Sequence, residues 1–458
     1  MNRISSNGKL RASFVNTIMV LLLVVAMSAA AAAQDFASKA DEYINAYVKQ
    51  NRFSGSVLVA RGGKILLSKG YGMANYELDV ANSPQTKFRL GSITKQFTAT
   101  AIMQLQEKGL LSVDDPITKY FPDYKNAEGV TIHNLLSHTS GIFNYTNDKA
   151  YLQNMRQNYP PEKIFATFKD RPLDFKPGEK WNYSNSGYVL LGMIIEKVSG
   201  MPYEKYLTEN IFKPLGMSNT GYDHTETVLK NRASGYNSNG SERVNAEFLD
   251  MSQPFSAGAL YSTVEDLYKW DRSLYTEKLL KKTSLEKMFT PVKNNYGYGW
   301  AIIEQNGHKL VGHGGGINGF ATQINRYIND DACVIVLSNT IPSPVGKIAT
   351  DLGAILFGDK YELPKERVAI KLDTKILDSY VGQYEIAPEF VLTVTREGDR
   401  LFGAPTGQEK AELFAESETE FFLKVVDARI SFVKNEKGEV TQLILHQGGR
   451  NMAGKKIK

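Results

Sequence analysis

The chain has 458 residues, a hydrophobic content of 42%, a charged content of 22% and a formal net charge of +5. This length allows a large hydrophobic core and more than one domain. The composition is ordinary for a soluble globular protein, which excludes a fibrous or low-complexity chain.

Residues 1–33 have the pattern of a cleavable signal peptide. Three basic residues precede an apolar run over 18–27 that is too short for a membrane span, and three alanines at 31–33 precede the expected cut before Gln34. An uncleaved membrane anchor is the alternative, whereas a lipoprotein is excluded because no cysteine lies near the cut. We therefore expect an exported protein, periplasmic or extracellular, without a stable membrane anchor after cleavage.

Removal of this leader, which carries three basic residues and no acidic one, lowers the formal charge from +5 to +2. The remaining charges form no basic stripe, which argues against a nucleic-acid partner. The single cysteine, Cys333, lies in an apolar run and is expected to be a buried core thiol. Two pairs of histidines, at 133 and 138 and at 308 and 313, are each five residues apart without an accompanying Cys/His/Asp cluster, so we expect no metal ion.

The first predicted elements are a helix and a hairpin. Apolar spacing predicts a helix over Ala37–Val48, followed by strands over Gly55–Ala60 and Lys64–Ser68. A long helix is predicted over Ser92–Lys108. From about residue 115 to residue 290, helical segments alternate with loops rich in proline, glycine and asparagine.

Strand patterns return after this helical middle part. They cover Trp300–Glu304, Lys309–Gly312, Phe320–Tyr327 and Ala332–Ser338, and a helix is predicted at Val345–Phe357. Early strands, helices and late strands predict an α+β fold, in which the first and last segments share one antiparallel sheet flanked by helices. A mostly helical lobe would lie beside this sheet.

The composition changes after Gly358. Residues 359–376 are charged, contain Pro364 and are interpreted as a linker between a first domain over 34–358 and a second over 377–458. Short alternating runs separated by turn residues predict that the second, all-β domain is a small barrel or sandwich.

A serine followed three positions later by a lysine is the first candidate catalytic motif. On a helix this spacing places both side chains on one face, where the amine can take the hydroxyl proton as the serine attacks a carbonyl group. The pattern occurs at Ser6, Ser92, Ser284 and Ser431. Ser92 is favoured because it follows Gly91 and begins a long helix, whose dipole favours developing negative charge. Ser92 and Lys95 are therefore candidate catalytic residues.

A tyrosine two positions before an asparagine is the second candidate motif. The pattern recurs, but only Tyr183 lies in a Pro/Gly/Asn-rich loop directly before the apolar helix predicted over Val189–Val198. A tyrosine on such a loop can reach into a cleft, where a cationic lysine would favour its ionised form and let it act as a base. Asn185 can hydrogen-bond a substrate amide.

A histidine followed by three glycines, His313-Gly314-Gly315-Gly316, lies between two predicted strands. Successive glycines let a substrate lie against a strand edge and leave a backbone N–H free to contact an oxyanion. The same run occurs in α/β-hydrolases, but there it precedes the nucleophile, and this chain contains no G-x-S-x-G motif. We assign substrate binding to these four residues and to Asn185.

The order and context of these motifs resemble the serine β-lactamase-related superfamily of class C β-lactamases, DD-peptidases, D-aminopeptidases and related esterases. Gly91–Thr98 is similar to its first motif, Tyr183–Asn185 to its second and His313–Gly315 to its third. Thr131–Gly141 and Ser256–Leu267 resemble two further family segments. The C-terminal part resembles, more loosely, the lipocalin-like β domains that follow some members.

The resemblance implies a serine hydrolase in which Ser92 forms an acyl-enzyme and Lys95 and Tyr183 share proton transfer. The backbone N–H groups of Ser92 and Gly316 would hold the oxyanion. The implied substrate is a small molecule or peptide with an amide or ester bond, such as a D-amino-acid peptide of the cell wall, and no cofactor is needed. The alternatives are a penicillin-binding or wall-binding sensor that is acylated without efficient turnover, and a class C-like β-lactamase. The oligomeric state is left open.

The third motif departs from the family pattern. Many members that recognise a C-terminal carboxylate carry Lys-Thr-Gly there, which supplies a fixed cation and a hydroxyl group. Here His313, expected to be only partly charged near neutral pH, replaces the lysine, and Gly314 replaces the threonine. Carboxypeptidase activity and efficient β-lactamase activity are therefore left open by the sequence. His138, in the segment Thr131–Gly141, is expected to be a hydrogen-bonded structural residue.

Overall fold

The computed structural model describes residues 34–458 except 240, 241, 365, 366, 425, 427, 448 and 449. The leader predicted over 1–33 thus lies outside the described residues. In the described part of the chain, no helix combines the length and apolar character that a membrane crossing requires.

Helices dominate the middle of the chain. They are α1 (34–49), α2 (Thr94–Glu107), α3 (Ile132–Leu136), α4 (Lys149–Asn154), α5 (Pro161–Phe168), α6 (Asn185–Ser199), α7 (Tyr203–Leu207), α8 (Lys213–Leu215), α9 (Phe255–Gly258), α10 (Val264–Ser273), α11 (Lys282–Met288), α12 (Val345–Phe357) and α13 (Thr374–Tyr380). Shorter helical turns lie at Gly91–Ile93, Ile117–Lys119, Lys125–Ala127, Tyr145–Asn147 and Thr208–Phe212.

Strands occupy both ends of the first domain and nearly all of the second. Those of the first domain are β1 (Gly55–Arg61), β2 (Lys64–Tyr71), β3 (Met73–Asn75), β4 (Val80–Ala81), β5 (Phe88–Arg89), β6 (Gly221–Tyr222), β7 (Tyr236–Asn239), β8 (Glu242–Asn245), β9 (Leu260–Ser262), β10 (Ala301–Gln305), β11 (His308–Ile317), β12 (Phe320–Tyr327), β13 (Ala332–Ser338) and β14 (Thr340–Ile341). Those of the second domain are β15 (Gly382–Ala387), β16 (Phe390–Glu397), β17 (Arg400–Pro405), β18 (Ala411–Ala415), β19 (Glu420–Phe422), β20 (Ala428–Lys434), β21 (Val440–Gln447) and β22 (Arg450–Lys456).

The main sheet joins the two ends of the first domain, which confirms the predicted α+β architecture. Its strand order is β10-β11-β12-β13-β1-β2, and every neighbouring pair is antiparallel. Successive residues of β1 face opposite sides: Val57 and Val59 pack under α1 and α12, whereas Leu58 and Ala60 pack against the helical lobe. Burial of both faces explains why β1 is a continuous apolar run. Cys333 is buried in β13, as predicted.

The helical lobe is built around α2, α6 and α9, which pack on one another. Residues Thr94–Leu105 of α2 are all buried, including polar Gln96, whose side chain accepts a hydrogen bond from the Trp270 indole at 3.0 Å. The helical turn Gly91–Ile93, directly before α2, contacts β11 and β12. This arrangement puts the Ser92 turn between the sheet and the helical lobe.

The second domain is a closed barrel of eight strands, β15 to β22 in order. Of the two predicted alternatives, a small barrel or a sandwich, the structure shows the barrel. Tyr380, Tyr384 and Phe432 form part of its core. The sequence analysis did not identify β15, β18 and β22, although polar and apolar residues alternate over residues 383–386 of β15. Helix α13 begins inside the predicted linker and packs on β16.

The glycine run lies within a strand rather than between two strands. The predicted strand ended at Gly312, but β11 continues to Ile317 and pairs with β12 as far as Ile317↔Phe320. Glycine has a low strand propensity, and here the backbone ladder with β12 keeps the segment extended.

Candidate active site

Ser92 lies in the helical turn Gly91–Ile93, directly before α2. Gly91 has a φ of 55°, a backbone conformation that favours glycine. A Cβ atom at this position would lie 2.9 Å from both the backbone nitrogen and the backbone oxygen of Gly316. The absent side chain therefore lets the Ser92 turn lie directly against β11.

Lys95 follows one helical turn later and its side chain is fully buried. Its Nζ lies 3.1 Å from Ser92 Oγ, 2.9 Å from Asn185 Oδ1 and 2.8 Å from the carbonyl oxygen of Ala257. The last two atoms can only accept hydrogen bonds. They therefore use two N–H groups of the amine, and the third position of Nζ faces Ser92.

Burial lowers the pKa of Lys95 well below its usual value. A neutral amine has two N–H groups and one lone pair. Because Asn185 and Ala257 take both N–H groups, the lone pair is directed at the Ser92 hydroxyl. This is the orientation that proton transfer from Ser92 to Lys95 requires.

Tyr183 contacts the same hydroxyl from the other side, because its OH donates to Ser92 Oγ at 2.7 Å. Loss of solvation raises the pKa of Tyr183, and the hydrogen bond to Ser92 opposes this effect only in part. The expectation that Tyr183 favours its ionised form is therefore wrong. Its phenol donates a hydrogen bond to Ser92 in this structure, and a neutral Lys95 amine is placed to accept one from the Ser92 hydroxyl.

Asn185 is the first residue of α6, whose start is capped by the side chain of Ser184. Its backbone N–H donates to Asn144 Oδ1 at 3.0 Å, and its Nδ2 donates to Thr146 Oγ1 at 3.3 Å. These bonds hold the amide so that Oδ1 faces Lys95. The structure thus brings together Ser92, Lys95, Tyr183 and Asn185.

Gly315 and Gly316 bring the edge of β11 to the same cleft. A Cβ atom at Gly315 would lie 2.0 Å from the carbonyl oxygen of Leu90, whereas one at Gly316 would meet open space. The pairing of β10 with β11 ends at Gly312, so the glycine run lies beyond the end of β10. A two-residue turn joins β11 to β12, and in such a hairpin the pair of residues that flanks the turn is hydrogen-bonded. Along the two strands, hydrogen-bonded pairs then alternate with pairs that are not hydrogen-bonded. Gly316 belongs to the second pair, so its N–H points away from β12.

His313 is buried in β11 rather than presented to the cleft as a cation. Its Nδ1–H donates to the Gly314 carbonyl oxygen at 2.5 Å, and its Nε2 lies 2.8 Å from the Tyr296 hydroxyl, which donates to it. Burial lowers the pKa of His313 to about 4. The expectation of a partly charged His313 near neutral pH is therefore wrong, and its ring instead satisfies a carbonyl group at the open edge of β11.

Comparisons with known proteins identify the family of this chain. Residues 40–356 match the family described as Beta-lactamase. The chain belongs to the Beta-lactamase family. Residues 366–456, which cover the barrel, match a domain of unknown function, DUF3471. As a Beta-lactamase-family member whose relatives include a penicillin-binding protein and a D-stereospecific amidohydrolase, the protein is a serine hydrolase.

Relatives of this Beta-lactamase-family chain cover both domains. Penicillin-binding protein 4* of Bacillus subtilis (strain 168) is 33% identical over 442 residues, which is 88% of this chain and 95% of the relative. The structure of an octameric penicillin-binding protein homologue from Pyrococcus abyssi is 30% identical, covers 91% of this chain and 99% of that one, and has a TM-score of 0.67. A D-stereospecific amidohydrolase from Streptomyces sp. is 27% identical, with 71% and 99% coverage and a TM-score of 0.61.

Two contacts in the Beta-lactamase-family site were not assigned from the sequence. The Ala257 carbonyl oxygen accepts from Lys95, and the Tyr296 hydroxyl donates to His313. Ala257 lies in the segment Ser256–Leu267, which the sequence analysis identified as similar to a family segment, but the role of its carbonyl oxygen was not predicted. Tyr296 has no sequence signal beyond its place in an aromatic, glycine-rich run.

Proposed function

We propose that the protein is an exported serine hydrolase that forms an acyl-enzyme at Ser92 and cleaves an uncharged amide or ester. The observation that carries the proposal is that the Ser92 hydroxyl lies between the Tyr183 phenol, which donates to it at 2.7 Å, and the buried Lys95 amine at 3.1 Å, to which we assign the role of proton acceptor. Export is inferred from the leader pattern over 1–33.

In the acylation step, Ser92 Oγ forms a bond to the carbonyl carbon while its proton moves to Lys95 Nζ. The oxyanion is held by the backbone N–H groups of Ser92 and Gly316. When the tetrahedral intermediate collapses, the leaving amine or alcohol takes the Tyr183 proton, and Lys95 returns its proton to Tyr183. Water then attacks the acyl-enzyme by the reverse proton transfers, which release the acid and restore Ser92.

The third motif supports a neutral group near the scissile bond. The position of the family lysine holds His313, which burial keeps uncharged, and Gly314 has no hydroxyl group. A D-amino-acid amide, a peptide of the cell wall cleaved at a neutral position, or a small ester fits this site better than a free C-terminal carboxylate. The D-stereospecific amidohydrolase among the solved relatives supports the D-amino-acid class.

The second candidate function is a penicillin-binding sensor that is acylated but turns over negligibly. It is favoured by the names of the relatives, which include penicillin-binding proteins. A class C-like β-lactamase would differ from this sensor only in the rate at which water releases the acyl group.

A substrate panel separates these functions. D-amino-acid amides, D-peptides with and without a free carboxylate, p-nitrophenyl esters and nitrocefin should be assayed on the wild type and on Ser92→Ala, with mass spectrometry of covalent adducts. We expect turnover of neutral amides or esters and an adduct on Ser92, both absent in Ser92→Ala. A stable penicillin adduct without turnover of any substrate would favour the sensor. Adducts that persist at full strength in Ser92→Ala would disprove Ser92 as the nucleophile.

A further inference from the structure

His138 follows the C-terminus of α3 in a left-handed backbone conformation, with a φ of 58°. At such a helix end the usual residue is glycine, and a residue with a Cβ atom is destabilised there by about 1–2 kcal/mol. The side chain is buried. A buried imidazole at a position that glycine would fill more easily points to a task for the ring.

The contacts of His138 converge on the segment that carries Tyr183. Its carbonyl oxygen accepts from the backbone N–H of Asn182 at 3.0 Å, and its Nδ1 accepts from the backbone N–H of Ser184 at 3.2 Å. The imidazole also packs on the Tyr183 ring, with the ring centroids 4.2 Å apart and the planes tilted by 38°. The residues on both sides of Tyr183 thus bond to one residue, Asn182 to the carbonyl oxygen of His138 and Ser184 to its ring, and the Tyr183 ring packs on the same imidazole.

The hydrogen bonds also define the tautomer of His138. Since Nδ1 accepts from Ser184, the neutral ring carries its proton on Nε2. Within the described part of the chain this buried Nε2 has no hydrogen-bond partner. The rings that surround the imidazole belong to Trp181, Tyr183, Tyr188 and Tyr296. Burial lowers the pKa of His138 well below its usual value.

We propose that His138 is a positioning residue for Tyr183, whose imidazole holds the phenol in place to donate to Ser92. The proposal rests on the proton-transfer role of Tyr183 in the proposed function. His138 is not itself a catalytic residue, because its one side-chain hydrogen bond goes to a backbone N–H and its other nitrogen is enclosed by aromatic rings. Displacement of a reacting group by about 1 Å can cost about 10²-fold in rate, so the ring contact has a measurable consequence.

Two substitutions separate the two side-chain contacts. His138→Asn retains an acceptor for the Ser184 N–H and tolerates the left-handed backbone, but it removes the ring. His138→Phe retains a ring against Tyr183 but removes the acceptor. Each should be measured with a neutral ester, alone and combined with Tyr183→Phe, together with the melting temperature.

We expect His138→Asn to lower kcat by about 10- to 100-fold with little change in KM, and His138→Phe to lower it less. In the Tyr183→Phe background the same substitutions should change kcat less than about threefold, because there is no longer a phenol to position. Equal losses in both backgrounds, or full kcat in His138→Asn, would overturn the proposal. If His138→Asn fails to fold, the proposal is still tested by comparing the effect of His138→Phe on kcat in the wild type and in the Tyr183→Phe variant. Wild-type kcat in Tyr183→Phe alone would instead refute the proposed role of Tyr183, a result distinct from the failure of the positioning role.

Discussion

Tyr183 donates a 2.7 Å hydrogen bond to the hydroxyl of Ser92, from which it is separated by 91 positions in the sequence. Lys95 lies 3.1 Å from the same oxygen on the other side. When both neighbours are uncharged, the hydroxyl group can accept a hydrogen bond from the Tyr183 phenol and donate one to the lone pair of the Lys95 amine. In the proposed mechanism neither residue can move protons alone.

We expect Lys95→Met and Tyr183→Phe to be strongly non-additive. Each single replacement should lower kcat/KM by about 10²- to 10⁴-fold, and the double variant should be no worse than about threefold below the more damaging single one. The matched control is Tyr188→Phe, which removes a nearby hydroxyl that bonds the Leu136 carbonyl group instead of Ser92. Losses that multiply in the Lys95/Tyr183 double variant would mean two independent roles.

The lowered pKa of Lys95 predicts an acid limb in the pH profile. Activity requires the neutral amine, so kcat/KM for a neutral ester should fall as the pH drops through that lowered pKa. The midpoint should lie well below about 10.4, the value of an unperturbed lysine. Because the pKa of Tyr183 is raised, its ionisation should cause no loss up to about pH 10. An acid limb with its midpoint near pH 10 would show that Lys95 is charged in the free enzyme at neutral pH.

The buried, neutral His313 predicts that a free carboxylate on the substrate gains nothing from mild acid. The ratio of kcat/KM for a D-peptide and its methyl ester should stay constant between about pH 5 and pH 8, because His313 has a pKa of about 4. The measurement uses this matched pair on the wild type and on His313→Gln. A ratio that rises below about pH 6.5 in the wild type alone would restore the histidine as a carboxylate-binding cation.

Gly91 and Gly109 offer a matched pair of substitutions. Both have a left-handed φ, 55° and 70°, but an added Cβ atom meets Gly316 at position 91 and open space at position 109. Gly109→Ala should lower the free energy of unfolding by about 1 kcal/mol and leave kcat/KM unchanged. Gly91→Ala should carry the same backbone cost and also lower kcat/KM by about 10²-fold, because it separates the Ser92 turn from Gly316. Equal kinetics in the two variants would disprove the importance of this contact.

The barrel should be dispensable for folding of the first domain. Two truncations test this: one ends at Gly358, the other at Pro364. The longer protein keeps the edge-to-face contact between the rings of Tyr361 and Tyr43, whose centroids are 5.9 Å apart. It also keeps the 2.9 Å hydrogen bond that the Gln50 side chain donates to the Pro364 carbonyl oxygen. We expect both to fold, with the longer one more stable by about 1 kcal/mol. If the circular dichroism spectra of both truncated proteins show a loss of fixed tertiary packing, the first domain requires the barrel in order to fold.

Elements with strong local patterns were predictable from the sequence. Strands β12 and β13 and helix α12 have the predicted bounds, because apolar periodicity determines them. The extension of β11 through its glycines was not predictable, since it depends on pairing with β12. The protonation of Tyr183 and His313 was also inaccessible, because burial by distant segments, rather than neighbouring residues in the chain, sets their pKa values. The Ala257 contact with Lys95 involves a backbone oxygen, to which any residue type could contribute.

The groups around Ser92 Oγ and Lys95 Nζ come from widely separated stretches: the start of α2, the start of α6, α9 and the edge of β11. None of these stretches can assemble the reactive arrangement before the sheet has closed on the helical lobe. A reagent that acylates Ser92 would therefore label only correctly folded molecules, so the amount of label would measure the folded protein rather than the total protein. The labelled fraction, followed during heating or refolding, would give the native population of the first domain from a single covalent event per molecule.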